Sequence, residues 1–129
     1  MDRILALFAI IIGFIALYRF AKFVLQQKYI QALNSHWNKE FTVNGINLVN
    51  PADSKILGDW KGSGVQGSPI RTRLFQTRKG NYGIFNFWFP LEGLPKSEVS
   101  MVSEVQAKAE LLSRDRIQYI KLFGEPKHI

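Results

Sequence analysis

At 129 residues, the chain has room for one compact domain besides the apolar segment that opens it. Seventeen Lys and Arg residues against ten Asp and Glu residues give a net charge of +7, but residues 29–129 carry only +4 of it. A domain this mildly basic does not point to nucleic acid. The chain has no cysteine, which excludes disulfides, thiolate metal sites and a cysteine nucleophile.

The opening segment is apolar enough to span a membrane. Residues 4–18 include no charged or strongly polar side chain, and the apolar character continues to Leu25 if Arg19 and Lys22 extend their charged ends towards the membrane surface. Ile4 to Leu25 is 22 residues, which at about 1.5 Å per residue matches the ~30 Å hydrocarbon core of a bilayer. We therefore predict a single transmembrane helix. Its characteristic residues are Ile4, Phe8, Ile12, Phe14, Tyr18, Arg19 and Lys22.

Two other interpretations of this segment remain open. The core helix of a soluble protein can be equally apolar. A cleaved secretion signal also begins with a charge and an apolar run, but residues 16–22 contain no small-x-small cleavage site, so we expect a retained anchor. Arg19, Lys22 and Lys28 lie at or beyond the C-terminal end of the apolar run and only Arg3 precedes it, which weakly favours a cytoplasmic C-terminal domain. Short N-terminal anchors often export the domain that they carry, so the side stays unresolved.

The remainder divides into a connecting arm and a domain. We expect three regions: an anchor over 1–28, a helical extension and arm over 29–54, and a strand-rich domain over 55–129. The helix is expected to end between Asn34 and Asn38, where polar residues crowd together. Asn44-Gly45 suits a two-residue turn, within either a small hairpin or the arm itself.

Short strands and turns alternate after residue 55. We predict strands at 56–61, 70–77 and 82–89, with a tight turn at 78–81. In the last of these strands, Phe85, Phe87 and Phe89 share one face, which we expect to be core. The opposite face carries Tyr82, Ile84, Asn86 and Trp88. Because that face is also largely apolar, a helix, a loop, the membrane or a partner must cover it.

Residues 98–112 are ambiguous. Val99, Met101 and Val105 begin an alternation typical of a half-buried strand, whereas the Ala, Glu, Lys and Gln content favours a helix. We predict a strand, with a hairpin loop at 113–116 leading into a further strand at 117–123. The predicted fold is α+β: one N-terminal transmembrane helix followed by a small antiparallel sheet of about five strands.

The sequence offers little catalytic chemistry. His36 and His128 have no second ligand or carboxylate at a spacing typical of a metal site or a proton relay. The glycines of residues 58–67 match neither a phosphate-binding loop nor a dinucleotide fingerprint. We therefore expect no catalytic, metal-binding or cofactor-binding residues, and a protein that is not an enzyme. An enzyme would need a polar cleft with a perturbed acid or base.

Basic and aromatic side chains supply the candidate partner surface. Arg71 and Arg73 project from the same face of a predicted strand, and the turn after it adds two cations, so the group suits phosphate, lipid headgroups or an acidic partner. A solvated edge that resists aggregation is the alternative. The candidate residues are Trp88, Tyr82, Arg71, Arg73, Arg78 and Lys79. The expected partners are the lipid bilayer and a membrane protein, without nucleic acid.

Two resemblances suggest functions. Gly58-Asp59-Trp60 resembles the Gly-x-Trp signature of lipocalin-like barrels, which implies a closed barrel that holds a small apolar ligand, with Trp60 in its wall. The order of anchor helix, glycine loop and aromatic strand is similar to the small anchored domains of respiratory-chain assembly factors, in layout rather than in motif. The sequence thus favours a non-catalytic accessory subunit of a membrane complex, with a membrane-tethered lipid- or ligand-binding module as the alternative.

Overall fold

The computed structural model describes residues 2–128, which form two compact units with a boundary between Leu33 and Asn34. Helix α1 (Asp2–Trp37) supplies the first unit, and its last turn belongs to the second. The second unit contains strands β1 (Phe41–Val43), β2 (Asn47–Val49), β3 (Lys55–Lys61), β4 (Arg71–Gln76), β5 (Tyr82–Trp88) and β6 (Lys96–Val102), followed by helices α2 (Glu104–Arg114) and α3 (Arg116–Phe123).

Helix α1 is long and apolar enough to cross a membrane, and none of its most apolar eighteen-residue window is buried. Exposed side chains include Ile12 at 64% and Phe14 at 68%. The helix ends at Trp37, within the predicted interval, where the Asn38 amide donates to the Asn34 carbonyl at 3.0 Å. The prediction of a long N-terminal apolar helix is confirmed.

The second unit is built on an antiparallel sheet in the order β3-β4-β5-β6. Neighbouring strands follow one another in sequence, and β3 and β6 form the two edges of the open sheet. The predicted α+β class and antiparallel strands are confirmed, but the six described strands form two sheets rather than one sheet of about five. Because Gly58-Asp59-Trp60 lies inside an edge strand of this open sheet, the barrel implied by the lipocalin resemblance is not formed.

Strands β1 and β2 form the smaller sheet, a hairpin. Val43 pairs with Asn47, so the loop has three residues rather than the two that the sequence suggested. Asn44 and Gly45 both adopt positive φ, at 53° and 79°. The tolerance of Asn and Gly for this conformation explains why the turn forms at this dipeptide.

One face of the main sheet, which we call the Phe face, carries Phe75, Phe85 and Phe87, each 0% exposed. Trp37 meets Phe75 and Phe85 edge-on, with ring centroids 5.9 and 5.1 Å apart. Phe41 packs on Phe85 at 6.3 Å. The prediction that this face is core is confirmed for Phe85 and Phe87, whereas Phe89 lies just beyond β5 and is half-buried. The end of α1 together with the start of the hairpin covers the Phe face.

Helices α2 and α3 cover the opposite face. Buried Leu57, Leu74 and Tyr82 of the sheet pack in one cluster with Ala107 and Leu111 of α2. Partly buried residues of α3, including Leu122, complete the cluster. The sequence left open whether a helix, a loop, the membrane or a partner covers this face, and in the structure two helices cover it.

The strands predicted beyond residue 103 are therefore wrong. Ser103 and Gln106 form a capping box. The Ser103 hydroxyl accepts a hydrogen bond from the backbone N–H of Gln106 at 3.1 Å, and the side-chain oxygen of Gln106 accepts one from the backbone N–H of Ser103 at 3.1 Å. Residues 113–116 join two helices and do not form a hairpin loop. The Asp115 carboxylate caps α3, because it accepts a hydrogen bond from the backbone N–H of Gln118 at 3.1 Å.

Candidate functional site

A cleft of about 860 Å³ opens at the end of the sheet where β4 turns into β5. The hairpin β1–β2, the segment after it, the turn after β4 and the end of β6 supply its walls. The polar lining includes Asn44, Asn47, Asn50, Asp53, Arg78 and Lys79, and the apolar lining includes Ile46, Leu48, Tyr82, Met101 and Val102. The cleft can therefore offer cations, amide groups and an apolar surface to one ligand.

The turn between β4 and β5 carries the two basic residues of the cleft, and hydrogen bonds hold its backbone. The Thr77 amide donates to the Asn81 carbonyl at 2.8 Å, and the Gly80 amide donates to the Thr77 carbonyl at 2.9 Å. The Asn81 amide also donates to the Thr77 hydroxyl at 3.1 Å. This closed turn keeps Arg78 and Lys79 exposed, and neither takes part in an ion pair among residues 2–128.

Arg71 and Arg73, the other basic residues of the predicted partner surface, face a carboxylate on the neighbouring strand. Arg71 donates two hydrogen bonds to Asp59, from Nε at 2.6 Å and from Nη2 at 2.9 Å. Arg73 Nε lies 3.3 Å from the second oxygen of Asp59. Burial alone would raise the pKa of Asp59, but the Arg71 hydrogen bonds and the charges of both arginines outweigh it and hold that pKa below its ordinary value of 3.8.

Arg73 also joins this cluster to the end of α1. Its guanidinium lies over the Trp37 ring, 4.9 Å from the ring centroid, and its side chain is only 12% exposed. A guanidinium between an indole face and a carboxylate is held by cation–π and ionic attraction together. The arrangement uses Arg73 to pack the Phe face rather than to present a charge to solvent.

Trp88 and Tyr82 lie at opposite ends of β5. Trp88 is half-buried, and its indole Nε1 donates to the Gly67 carbonyl at 2.7 Å. The ammonium of Lys96 lies 5.2 Å from the centroid of the Trp88 ring. Tyr82 is 8% exposed and packs beneath α2 while lining the cleft. The six candidate residues thus divide among the cleft, the Asp59 cluster and the far end of the sheet.

His36 has a packing environment in the second unit. Its Nδ1 shares a hydrogen bond of 2.6 Å with the Ser97 hydroxyl, and its ring lies 5.5 Å from that of Phe87. Burial, and to a lesser degree the positive charge of Lys39, lowers the pKa of His36 from 6.5. Among residues 2–128, no group of three or more His, Cys, Asp and Glu side chains is placed to hold a metal ion.

The hairpin's contribution to the cleft was not predicted from the sequence. Asn44 and Asn47 flank a recognisable turn, but only the tertiary placement of the hairpin brings them to the same cleft as Arg78 and Lys79. Leu91 and Leu94, which are 101% and 87% exposed between β5 and β6, were also not among the predicted surface residues. Two leucines in a loop bounded by prolines are the signal that was present.

The architecture is thus an apolar helix joined to a helix-covered antiparallel meander. Compared with known proteins, the chain matches no family model, and neither a curated protein nor a solved structure gives a significant match.

Proposed function

We propose that this protein is a single-pass, membrane-anchored accessory subunit, which binds another membrane protein and catalyses no reaction itself. The exposure of α1 carries the proposal. None of its most apolar eighteen-residue window is buried, although the window includes large aliphatic and aromatic side chains. Exposing this much apolar surface to water costs about 25 cal/mol for each Å², so a lipid environment is the favourable one.

The charged groups of the second unit support a binding role. Asp59 forms ion pairs with Arg71 and Arg73. Arg73 also contacts the Trp37 ring, and His36 hydrogen-bonds to Ser97, so these groups serve packing within the fold. Arg78 and Lys79 are instead exposed at the cleft, beside asparagine amides. An acidic, partly apolar segment of a partner protein has the chemistry that suits these walls.

The experiment compares the wild-type chain with Arg78→Glu/Lys79→Glu in native membranes. After extraction in a mild detergent, we expect the wild-type protein in an assembly larger than its own monomer on native electrophoresis, and the double variant largely released from it. Lys121→Glu/Lys127→Glu, a double charge reversal at exposed positions outside the cleft, is the matched control and should leave the assembly intact. A wild-type chain that migrates only as a monomer contradicts the accessory role.

A second function, the binding of a lipid or small apolar molecule, is favoured by the size of the cleft. Its volume of about 860 Å³ lies within the roughly 300–1,000 Å³ of ligand pockets. Met101 and Val102 contribute to its apolar lining. Met101→Trp should fill part of this volume and weaken the binding of a fluorescent fatty acid. Equal binding by the wild type and the variant contradicts a ligand site in the cleft.

A further inference from the structure

The end of the sheet opposite the cleft carries exposed apolar side chains. Leu91 is 101% exposed and Leu94 is 87% exposed in the loop between β5 and β6. Val65, in the connection between β3 and β4, is 61% exposed. We call these three residues the apolar tip. Apolar side chains grouped at one end of a sheet form a candidate contact surface for lipid or for another molecule.

Hydrogen bonds hold the two loops of the apolar tip at the same end of the sheet. The Ile70 amide donates to the Phe87 carbonyl at 2.8 Å, and the Trp88 indole donates to the Gly67 carbonyl at 2.7 Å. Pro90 and Pro95 bound the loop that carries both leucines. Because proline fixes its own φ and restricts the preceding residue, these positions limit the freedom of the loop.

The chain beyond the proposed span meets the sheet at this same end. His36 contacts Phe87 near the end of β5 and bonds to Ser97 at the start of β6, two strands that the leucine loop connects. Ten residues of α1 lie between Leu25 and His36, and the eleven steps from one to the other at 1.5 Å each make about 16 Å of helix. The lipid headgroups occupy roughly 5–7 Å of this distance. The covalent connection between the proposed span and this end of the sheet is therefore short.

We propose that the apolar tip inserts into the interfacial layer of the bilayer that α1 spans. The inference rests on the membrane anchor of the proposed function, and it adds a second, independent contact with lipid. The loop segment 89–96 carries one carboxylate, Glu92, and one ammonium, Lys96, and so has no net charge. Insertion is therefore driven by apolar burial, and it depends neither on anionic lipid nor on low salt.

The chain has no cysteine, so one probe can be attached at any chosen position. Leu91→Cys and Leu94→Cys, each labelled with an environment-sensitive fluorophore, are placed as full-length protein in phosphatidylcholine vesicles. Ile117→Cys is the matched control, because Ile117 is an apolar residue of 78% exposure that belongs neither to the cleft lining nor to the apolar tip. Ile12→Cys reports on the span. We expect nitroxide-labelled lipid to quench the probes at positions 91, 94 and 12 several-fold more than the probe at 117, and aqueous iodide to show the reverse order.

The outcomes separate the two proposals. Quenching by lipid at position 12 but not at 91 and 94 overturns the insertion of the apolar tip and leaves the anchor in place. Lack of lipid quenching at position 12 removes the anchor and the tip together. A blue shift at 91 and 94 without lipid quenching indicates a protein contact there, which also overturns insertion. Lipid quenching at 91 and 94 that persists in neutral vesicles at high salt supports it.

Discussion

The phenyl rings of Phe85 and Phe87 are both 0% exposed and stack in parallel, with centroids 6.5 Å apart. We expect Phe85→Ala or Phe87→Ala to lower the free energy of unfolding by about 3–5 kcal/mol, because each change removes a buried ring and leaves a cavity. Denaturant titration in detergent, followed by tryptophan fluorescence, measures the loss. Phe89→Ala is the comparison, since Phe89 stacks on Phe87 but is only half-buried. An equal loss at all three positions contradicts the assigned core.

His36 should make the stability of the second unit depend on pH. Its pKa is lowered from 6.5 by burial and by Lys39, so the folded state binds fewer protons than the unfolded state. The contribution of His36 is fully present above pH 6.5 and is lost as the pH falls from there through the lower, folded-state pKa. Unfolding free energies measured from about pH 8 to pH 5 should decline less in His36→Gln. A decline of the same size in His36→Gln contradicts this role of His36.

The pairing of Asp59 with two arginines was beyond prediction from the sequence. The sequence showed that Arg71 and Arg73 project from the same face of one strand. The face of the sheet on which Asp59 lies, however, depends on a register shift in β3 between Ile56 and Gly58. Such a bulge inserts one unpaired residue and reverses the alternation beyond it. Arg78 and Lys79 were predictable as a turn because the signal is local, whereas their cleft requires the hairpin.

Helices α2 and α3 form where an alternation of apolar and polar residues predicted strands. Val105, which the strand interpretation counted as half-buried, is 78% exposed, and so is Ile117, where a further strand was predicted to begin. The buried positions of α2 are Ala107 and Leu111, four residues apart as a helix requires. Ser103 followed by Gln106 was a readable helix start, and Asp115 before α3 was another. The first three strands of the main sheet were correct because turn residues bound each of them.

Strand β5 contains a glycine where the sheet has no room for a side chain. A Cβ atom at Gly83 would lie 2.3 Å from Cζ of the fully buried Phe75 ring. We expect Gly83→Ala to destabilise the fold by about 1–3 kcal/mol, as overpacking of a core does. Phe75→Leu shortens the group that clashes, so the cost of Gly83→Ala should be smaller in that background, as a double-mutant cycle of unfolding free energies measures. Equal costs in both backgrounds contradict the clash.

For the protein as a whole, retention in the membrane is the property that α1 predicts. We expect Ile12→Lys/Phe14→Lys to release the protein from membranes, because each lysine near the centre of a span costs about 3 kcal/mol. The fraction that remains in the pellet after alkaline carbonate extraction measures the effect. Ile46→Lys, which changes an exposed apolar residue outside the proposed span, should leave retention unchanged. Release of the wild-type chain by the same treatment contradicts the anchor.

With α1 as the proposed membrane anchor, its last turns decide where a protease can release a lasting product. A cut between Leu25 and Leu33 keeps the buried Leu33 together with His36 and Trp37 in the released fragment, so the Phe face stays covered. A cut after Trp37 strips the indole from Phe75 and Phe85 and frees a fragment with a bare aromatic surface, prone to aggregation. Proteolytic release of a lasting product is therefore confined to the short stretch of helix before Leu33.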